Sequence, residues 1–223
     1  MRVVINPSHP EPRKLRFAAE KLCAGSVIAY PTDTVYGLGC AIGHKRALDK
    51  VYRLKALPRD KALSLVCADL SVAARYVQID NRAYRLMKQL LPGPYTLILN
   101  ATRDVPRTLM MRRRTVGIRV PDSPVVAGLV AALGGPIIST SATYGGDVLT
   151  DPSEIAARFS GLDLVLDADL GGGTPSTIVD LCGDDPVVLR QGAGPADRLA
   201  FDAGASACEP GMSEPEAAPV SSP

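Results

Sequence analysis

The chain has 223 residues, 46% hydrophobic and 22% charged, with 25 basic against 23 acidic side chains for a net charge of +2. This is ordinary globular composition, which excludes wholesale disorder, and the length suits one large domain or two small ones. Aromatics are only 4% and Trp is absent, so a stacking platform for single-stranded nucleic acid is not expected.

In chain order, spacing and end signals predict helices over 13–23, 45–54, 71–77, 82–91, 124–133 and 152–159. Short β-branched runs predict strands over 27–30, 63–67, 96–100, 116–120, 137–140, 164–167, 177–181 and 187–190. Asp80 is placed to cap the helix that Pro92-Gly93-Pro94 ends, and Asp151-Pro152-Ser153-Glu154 opens another with an acid cap and Pro at its first position. Helices do not follow every strand, and the strands from 164 to 190 run on through turns. The expected class is therefore α/β, a mixed sheet with flanking helices and not a doubly wound one.

Composition shifts after Gly194. Residues 195–223 are rich in Ala, Pro, Ser and Glu and hold five acids against one base, which leaves 24 bases and 18 acids before them. We expect a globular domain over 1–194 with net charge +6 and a disordered tail over 195–223. A modestly basic domain suits an anionic small molecule such as a nucleotide and permits RNA.

No apolar run approaches the ~18 residues of a membrane span, and the opening MRVVINPSHPEPRK lacks the apolar stretch of a secretory leader. Five scattered cysteines form no CxxC, and His9 and His44 lie far apart. Neither a metal site nor a disulfide framework is expected, and a reducing cytoplasm is the expected setting. Walker A, GxGxxG, GxSxG and HExxH motifs are absent.

Five segments carry chemistry. In 26–40 a strand ends at Tyr30-Pro31 and opens into Thr32-Asp33-Thr34, with Gly37 and Gly39 read as letting the backbone turn. The polar cluster either orients a small ligand or closes Asx and Thr turns. In 52–63 Arg53, Lys55, Arg59 and Lys61 surround Pro58, as a phosphate clamp or a solvated loop. In 110–121 the run Arg112-Arg113-Arg114 is a solvated turn or an RNA contact, and Arg119 interrupts the apolar alternation of Val116, Ile118 and Val120. On a strand Arg119 faces away from those three, either to solvent or to a carboxylate that its fork could grip. In 136–146 a strand runs into Ser139, Thr140, Ser141 and Thr143, and in 170–181 Gly171-Gly172-Gly173 precedes Thr174 and Ser176, with Arg190 beyond. The glycines either let backbone N–H groups approach an anion or form a hairpin turn.

In order, PTDTVYGLG, the KxxPxxK loop, PGPYTLIL, TVGIRVP, PIISTSA and PSTIVDL with VLRQG resemble the YrdC-like family of threonylcarbamoyl-AMP synthases over about residues 12–194. The resemblance implies an open, twisted mixed sheet whose concave face takes ATP and L-threonine. It implies conversion of L-threonine, bicarbonate and ATP to L-threonylcarbamoyl-adenylate and pyrophosphate, for threonylcarbamoyl-adenosine in tRNA, with magnesium accompanying ATP. Carried over by motif, Thr32, Arg119, Ser139 and Ser176 would hold threonine, with Arg119 on its carboxylate. Lys55, Arg59, Thr115, Ser141 and Arg190 would meet ATP, and Lys55 and Ser141 would be catalytic.

Two positions depart from the main branch of the family. Leu57 stands where that branch has Arg, and Thr143 where it has Asn. With Ala62 in place of Pro or Gly, and segments such as YRLKALP, the chain is similar to the YciO branch. The implied alternative is a YciO-type RNA-binding or regulatory protein, contacting tRNA or duplex RNA, that keeps the fold with little synthase activity.

Overall fold

The computed structural model describes residues 1–59, 61–110 and 114–199. Its elements are β1 (Arg2–Val4), α1 (Pro12–Cys23), β2 (Ile28–Tyr30), β3 (Gly37–Ala41), α2 (Lys45–Leu54), β4 (Ser64–Val66), α3 (Leu70–Ala73) and α4 (Asn81–Leu90). They continue with β5 (Tyr95–Asn100), β6 (Thr115–Arg119), α5 (Pro124–Leu133), β7 (Ile137–Ser141), β8 (Thr143–Tyr144), β9 (Asp147–Val148), α6 (Pro152–Arg158), β10 (Leu164–Asp167), β11 (Thr177–Asp180) and β12 (Val187–Arg190). Among the described residues no helix is long and apolar enough to cross a membrane.

Side chains start the helices. Asp69, Asp80, Ser123 and Asp151 accept from backbone N–H groups in the first turns of α3, α4, α5 and α6, and Pro opens α1, α5 and α6. Such caps satisfy donors that the helix itself leaves unpaired.

Ten strands form one mixed sheet in the order β1-β10-β2-β3-β7-β4-β6-β5-β11-β12. The expected mixed sheet with flanking helices is present, but β10 and β11 are not neighbours: they sit near opposite ends. The link between them crosses the sheet, with Gly171 N donating to Thr150 O at 2.8 Å. Two expected turns also differ. Gly37 and Gly39 lie inside β3, where a Cβ on Gly39 would stand 2.5 Å from the Ile138 carbonyl oxygen. Glycine is required there for close backbone approach, not for a bend. A Cβ on Gly172 would stand 2.0 Å from the Thr34 carbonyl oxygen, so that glycine serves packing against the Thr32–Thr34 segment and not an anion.

One sheet face packs on α2, α3 and α4 through Leu65, Leu97, Ile118 and Ile138, and on α6 through Leu38 and Val165. The other packs on α1 and α5 through Ile28, Tyr30, Ile137 and Leu164. These two helices cover only part of that face, and the remainder is open.

The packed unit runs past the expected boundary at Gly194. Pro195 O accepts from the Tyr95 hydroxyl at 2.9 Å, and a 3-10 turn at Ala196–Leu199 buries Leu199 in the main core. The rest of the expected tail lies outside the described residues. Cutting the chain after Gly194 is expected to lower stability by about 1.5–3 kcal/mol, the burial of one leucine. At ~2–4 °C per kcal/mol for a chain of this size, a thermal melt would show it. An unchanged midpoint would mean that Leu199 contributes nothing.

Candidate functional site

The open part of the sheet face is floored by small residues. Gly39, Ser139, Ser64 and Gly117 lie side by side across β3, β7, β4 and β6. The neighbouring row, Ala41, Ile137 and Val66, is covered by α1 and α5, and Arg119 continues it on β6. Low side chains next to a covered row leave a cavity of about 300 Å³, at the small end of ligand sites. A Cβ on Gly117 would lie 2.9 Å from Ser64 Oγ and 3.2 Å from Thr96 Cγ2, so the floor has no slack.

Lys61, Arg119 and Arg190 line this cavity, and no acidic side chain does among the described residues. Arg119 is buried, and its Nη2 donates to Thr32 Oγ1 at 3.1 Å, Asp33 Oδ1 at 2.5 Å and Thr34 Oγ1 at 2.5 Å. Its Nε is buried with no hydrogen-bond partner. Buried donors are rarely left so. Arg190 donates to Ser176 O at 2.7 Å, and burial, then the nearby Arg119 charge, hold its pKa below the usual guanidinium value.

The hydroxyls are oriented. Tyr30, fully buried and with its pKa pushed up to about 12 by that burial, donates to Ser139 Oγ at 2.6 Å. Ser139 therefore turns its own proton elsewhere, which makes it a donor toward a ligand. Ser176 and Thr96 share a bond of 2.8 Å. The Tyr36 hydroxyl donates to Asp169 O and accepts from Ala168 N, which pins the crossing link to the cavity rim.

Of the residues singled out in the sequence, Arg119, Ser139, Ser141, Ser176 and Arg190 meet in the cavity, and Thr32 touches it through Arg119. Three do not line it. Thr115 is buried opposite Asn100, at the far end of β6 from Arg119. Arg59 pairs with Asp49 and stacks on Tyr52. Lys55 donates to the carbonyl and, at 2.7 Å, to the hydroxyl of Thr143, with its ammonium 5.4 Å from the Phe159 ring centre. The sequence pattern did not single out Tyr36, Ser64 and Thr96, whereas Lys61, one of the bases of the candidate phosphate clamp, does line the cavity. Ser64 and Thr96 were detectable as polar breaks in the apolar runs ALSLV and YTLIL. Of the basic run, Arg112 and Arg113 lie outside the described residues.

Burial lowers the Lys55 pKa from its ordinary 10.5 to about 8. Between those values the unfolded chain binds more protons there than the folded one, so this group makes stability rise with pH across the window. Lys55→Met is expected to flatten the rise between about pH 8 and 10 in paired denaturation curves. Identical slopes for the two proteins would show that Lys55 is not desolvated.

Magnesium, implied by the resemblance, finds no carboxylate among the described cavity residues, and no metal-ligand cluster occurs among the described residues at all. The described residues therefore offer no site for a resident magnesium ion.

The sequence model of the Sua5/YciO/YrdC family, described as "Telomere recombination", matches residues 20–192. An uncharacterized Escherichia coli protein, YciO, is 43% identical over 194 residues, 85% of this chain and 94% of its own. The E. coli YciO crystal structure superposes with a TM-score of 0.86 over 90% of this chain and 99% of that one, at 40% identity. A threonylcarbamoyl-AMP synthase of Hydrogenovibrio crunogenus is 34% identical over 169 residues, 74% of this chain and 91% of its own. The crystal structure of P. abyssi Sua5 in complex with L-threonine superposes with a TM-score of 0.81 at 29% identity, over 86% of this chain and 57% of that one. The open cationic cavity thus sits on a sheet shared with both YciO and a threonine-binding protein, and the chain belongs to the Sua5/YciO/YrdC family.

Proposed function

We propose that this protein forms L-threonylcarbamoyl-adenylate and pyrophosphate from L-threonine, bicarbonate and ATP, for threonylcarbamoyl-adenosine in tRNA. The observation that carries this reading is the cavity itself: three cations, a set of hydroxyls and a buried Arg119 Nε with no partner. The named synthases at 34–36% identity and the threonine-bound Sua5 support it.

In this reading the threonine amine attacks the carbon of bicarbonate and water is lost, giving a carbamate whose oxygen attacks the α-phosphorus of ATP while pyrophosphate leaves. Arg119 holds the threonine carboxylate, Ser139 donates to the bound ligand, and Lys61 and Arg190 neutralise phosphate charge. Such transfers need positioning and charge neutralisation more than a nucleophile. Nucleotide would bring magnesium with it, and no step depends on a protein-held metal.

The test is pyrophosphate release from ATP and bicarbonate with each amino acid in turn. Release with L-threonine well above the other amino acids is expected. Equal release with every amino acid, or none with any, would sink the reading.

A further inference from the structure

The buried cation at the centre of the cavity is already neutralised. Arg119 Nη2 has two N–H bonds and three oxygens within reach, and one of those oxygens belongs to a carboxylate, Asp33. The two side chains are 9% and 10% exposed. Asp33 is itself fixed, because its second oxygen accepts from the Asp122 backbone N–H at 3.1 Å. It is not among the cavity-lining residues and stands behind Arg119. Lys61 and Arg190, by contrast, form no ion pair among the described residues.

The cavity's cations are therefore of two kinds. Arg119 and Asp33 are one positive and one negative group in contact, with no net charge. Among the described residues Lys61 and Arg190 offer positive charge with no ion-pair partner. A zwitterion such as an α-amino acid gains at the neutral pair, since its own charges cancel and it adds no uncompensated charge. A phosphate or pyrophosphate gains only where positive charge is in excess.

We propose that Asp33 is a specificity-determining positioning residue: by neutralising and orienting Arg119 it keeps that guanidinium for the carboxylate of an α-amino acid and leaves phosphate to Lys61 and Arg190. The identity of the amino acid rests on the function proposed above. The difference in charge pairing does not. Without Asp33, three uncompensated cations would line a cavity of about 300 Å³, and pyrophosphate would compete for Arg119.

Calorimetric titration with L-threonine and, separately, with pyrophosphate tests this on the full-length wild type and Asp33→Asn. A neighbouring opposite charge changes a proton equilibrium by about one to three powers of ten. Asp33→Asn is accordingly expected to tighten pyrophosphate by at least about tenfold and to weaken threonine by a similar factor. A merely structural role would weaken both ligands together.

The same substitution in an Arg119→Gln background should change pyrophosphate affinity much less, because Asp33 acts through Arg119. Pyrophosphate affinity that is unchanged or weaker on Asp33→Asn in the wild-type background, or that tightens equally in both backgrounds, overturns the proposal. A wild type that binds pyrophosphate but not threonine defeats the proposed reaction instead, and the pyrophosphate arm still decides the role of Asp33.

Discussion

Arg119→Ala is expected to abolish threonine binding and to destabilise the fold by about 3–5 kcal/mol, the usual result of removing one partner of a buried ion pair. The truncation strands the Asp33 carboxylate at 10% exposure and removes the donor to the Thr32 and Thr34 hydroxyls. Most of that loss is the penalty for a carboxylate left buried without a counter-charge, not the net worth of the pair. Arg119→Lys tests geometry apart from charge. It keeps the cation but not the planar fork, and one ammonium cannot reproduce the Nη2 contacts and also present a second donor to the cavity. We expect Arg119→Lys to recover much of the stability and little of the threonine affinity. Chemical denaturation paired with calorimetry separates the two. An Arg119→Ala protein with wild-type stability and wild-type threonine affinity would remove Arg119 from the site.

Arg119 also shows how far the site was legible in the sequence. A charged residue in the alternation Val116-x-Ile118-x-Val120 fixes the face on which it lies, because strand side chains alternate. Whether that face meets solvent or a cavity depends on α1 and α5 stopping short of it, and no local pattern contains that. The partners of two bases in the basic loop were illegible for the same reason. Arg59 finds Asp49 on α2 and Lys55 finds Thr143, 88 positions away, and only the fold reveals those partners.

Elements with strong local signals were found at or near their limits: α2 and α5 occupy 45–54 and 124–133 as expected. Four strands, β1, β3, β8 and β9, were not expected from the sequence, and the fully buried one, β3, reads GLGCA. Two glycines make that a poor strand by propensity, yet neighbouring atoms come so close that Gly39 tolerates no side chain. Here tertiary packing dictates the residues that local preference would reject.

The second large effect concerns Leu57 and Thr143, the two positions at which the motif resemblance implies Arg and Asn. The basic loop is anchored on the body of the protein. Leu57 packs against the main core, the Tyr52 hydroxyl donates to Lys61 O at 2.9 Å, and Arg59 bridges to Asp49. Lys55 is held separately by the Thr143 carbonyl and hydroxyl. Leu57→Arg cannot keep its charge against the core without a partner, so the loop should lift, at a cost of about 1–3 kcal/mol in stability. Thr143→Asn removes the hydroxyl anchor of Lys55. Either change alone leaves one restraint in place, and residues that act as a unit are not additive. The double variant is expected to bring the new guanidinium toward the cavity, to loosen Lys55, which keeps its bond to the backbone carbonyl at position 143, and to raise threonine-dependent pyrophosphate release by up to about 100-fold, since one missing transition-state donor costs roughly 100–1,000-fold. The gain should appear in kcat more than in threonine KM, because Arg119 is untouched. Adding Lys55→Ala to the double variant should erase it. A folded double variant with wild-type turnover would show that neither restraint limits the reaction, and a gain that survives Lys55→Ala would assign the effect to the new arginine alone.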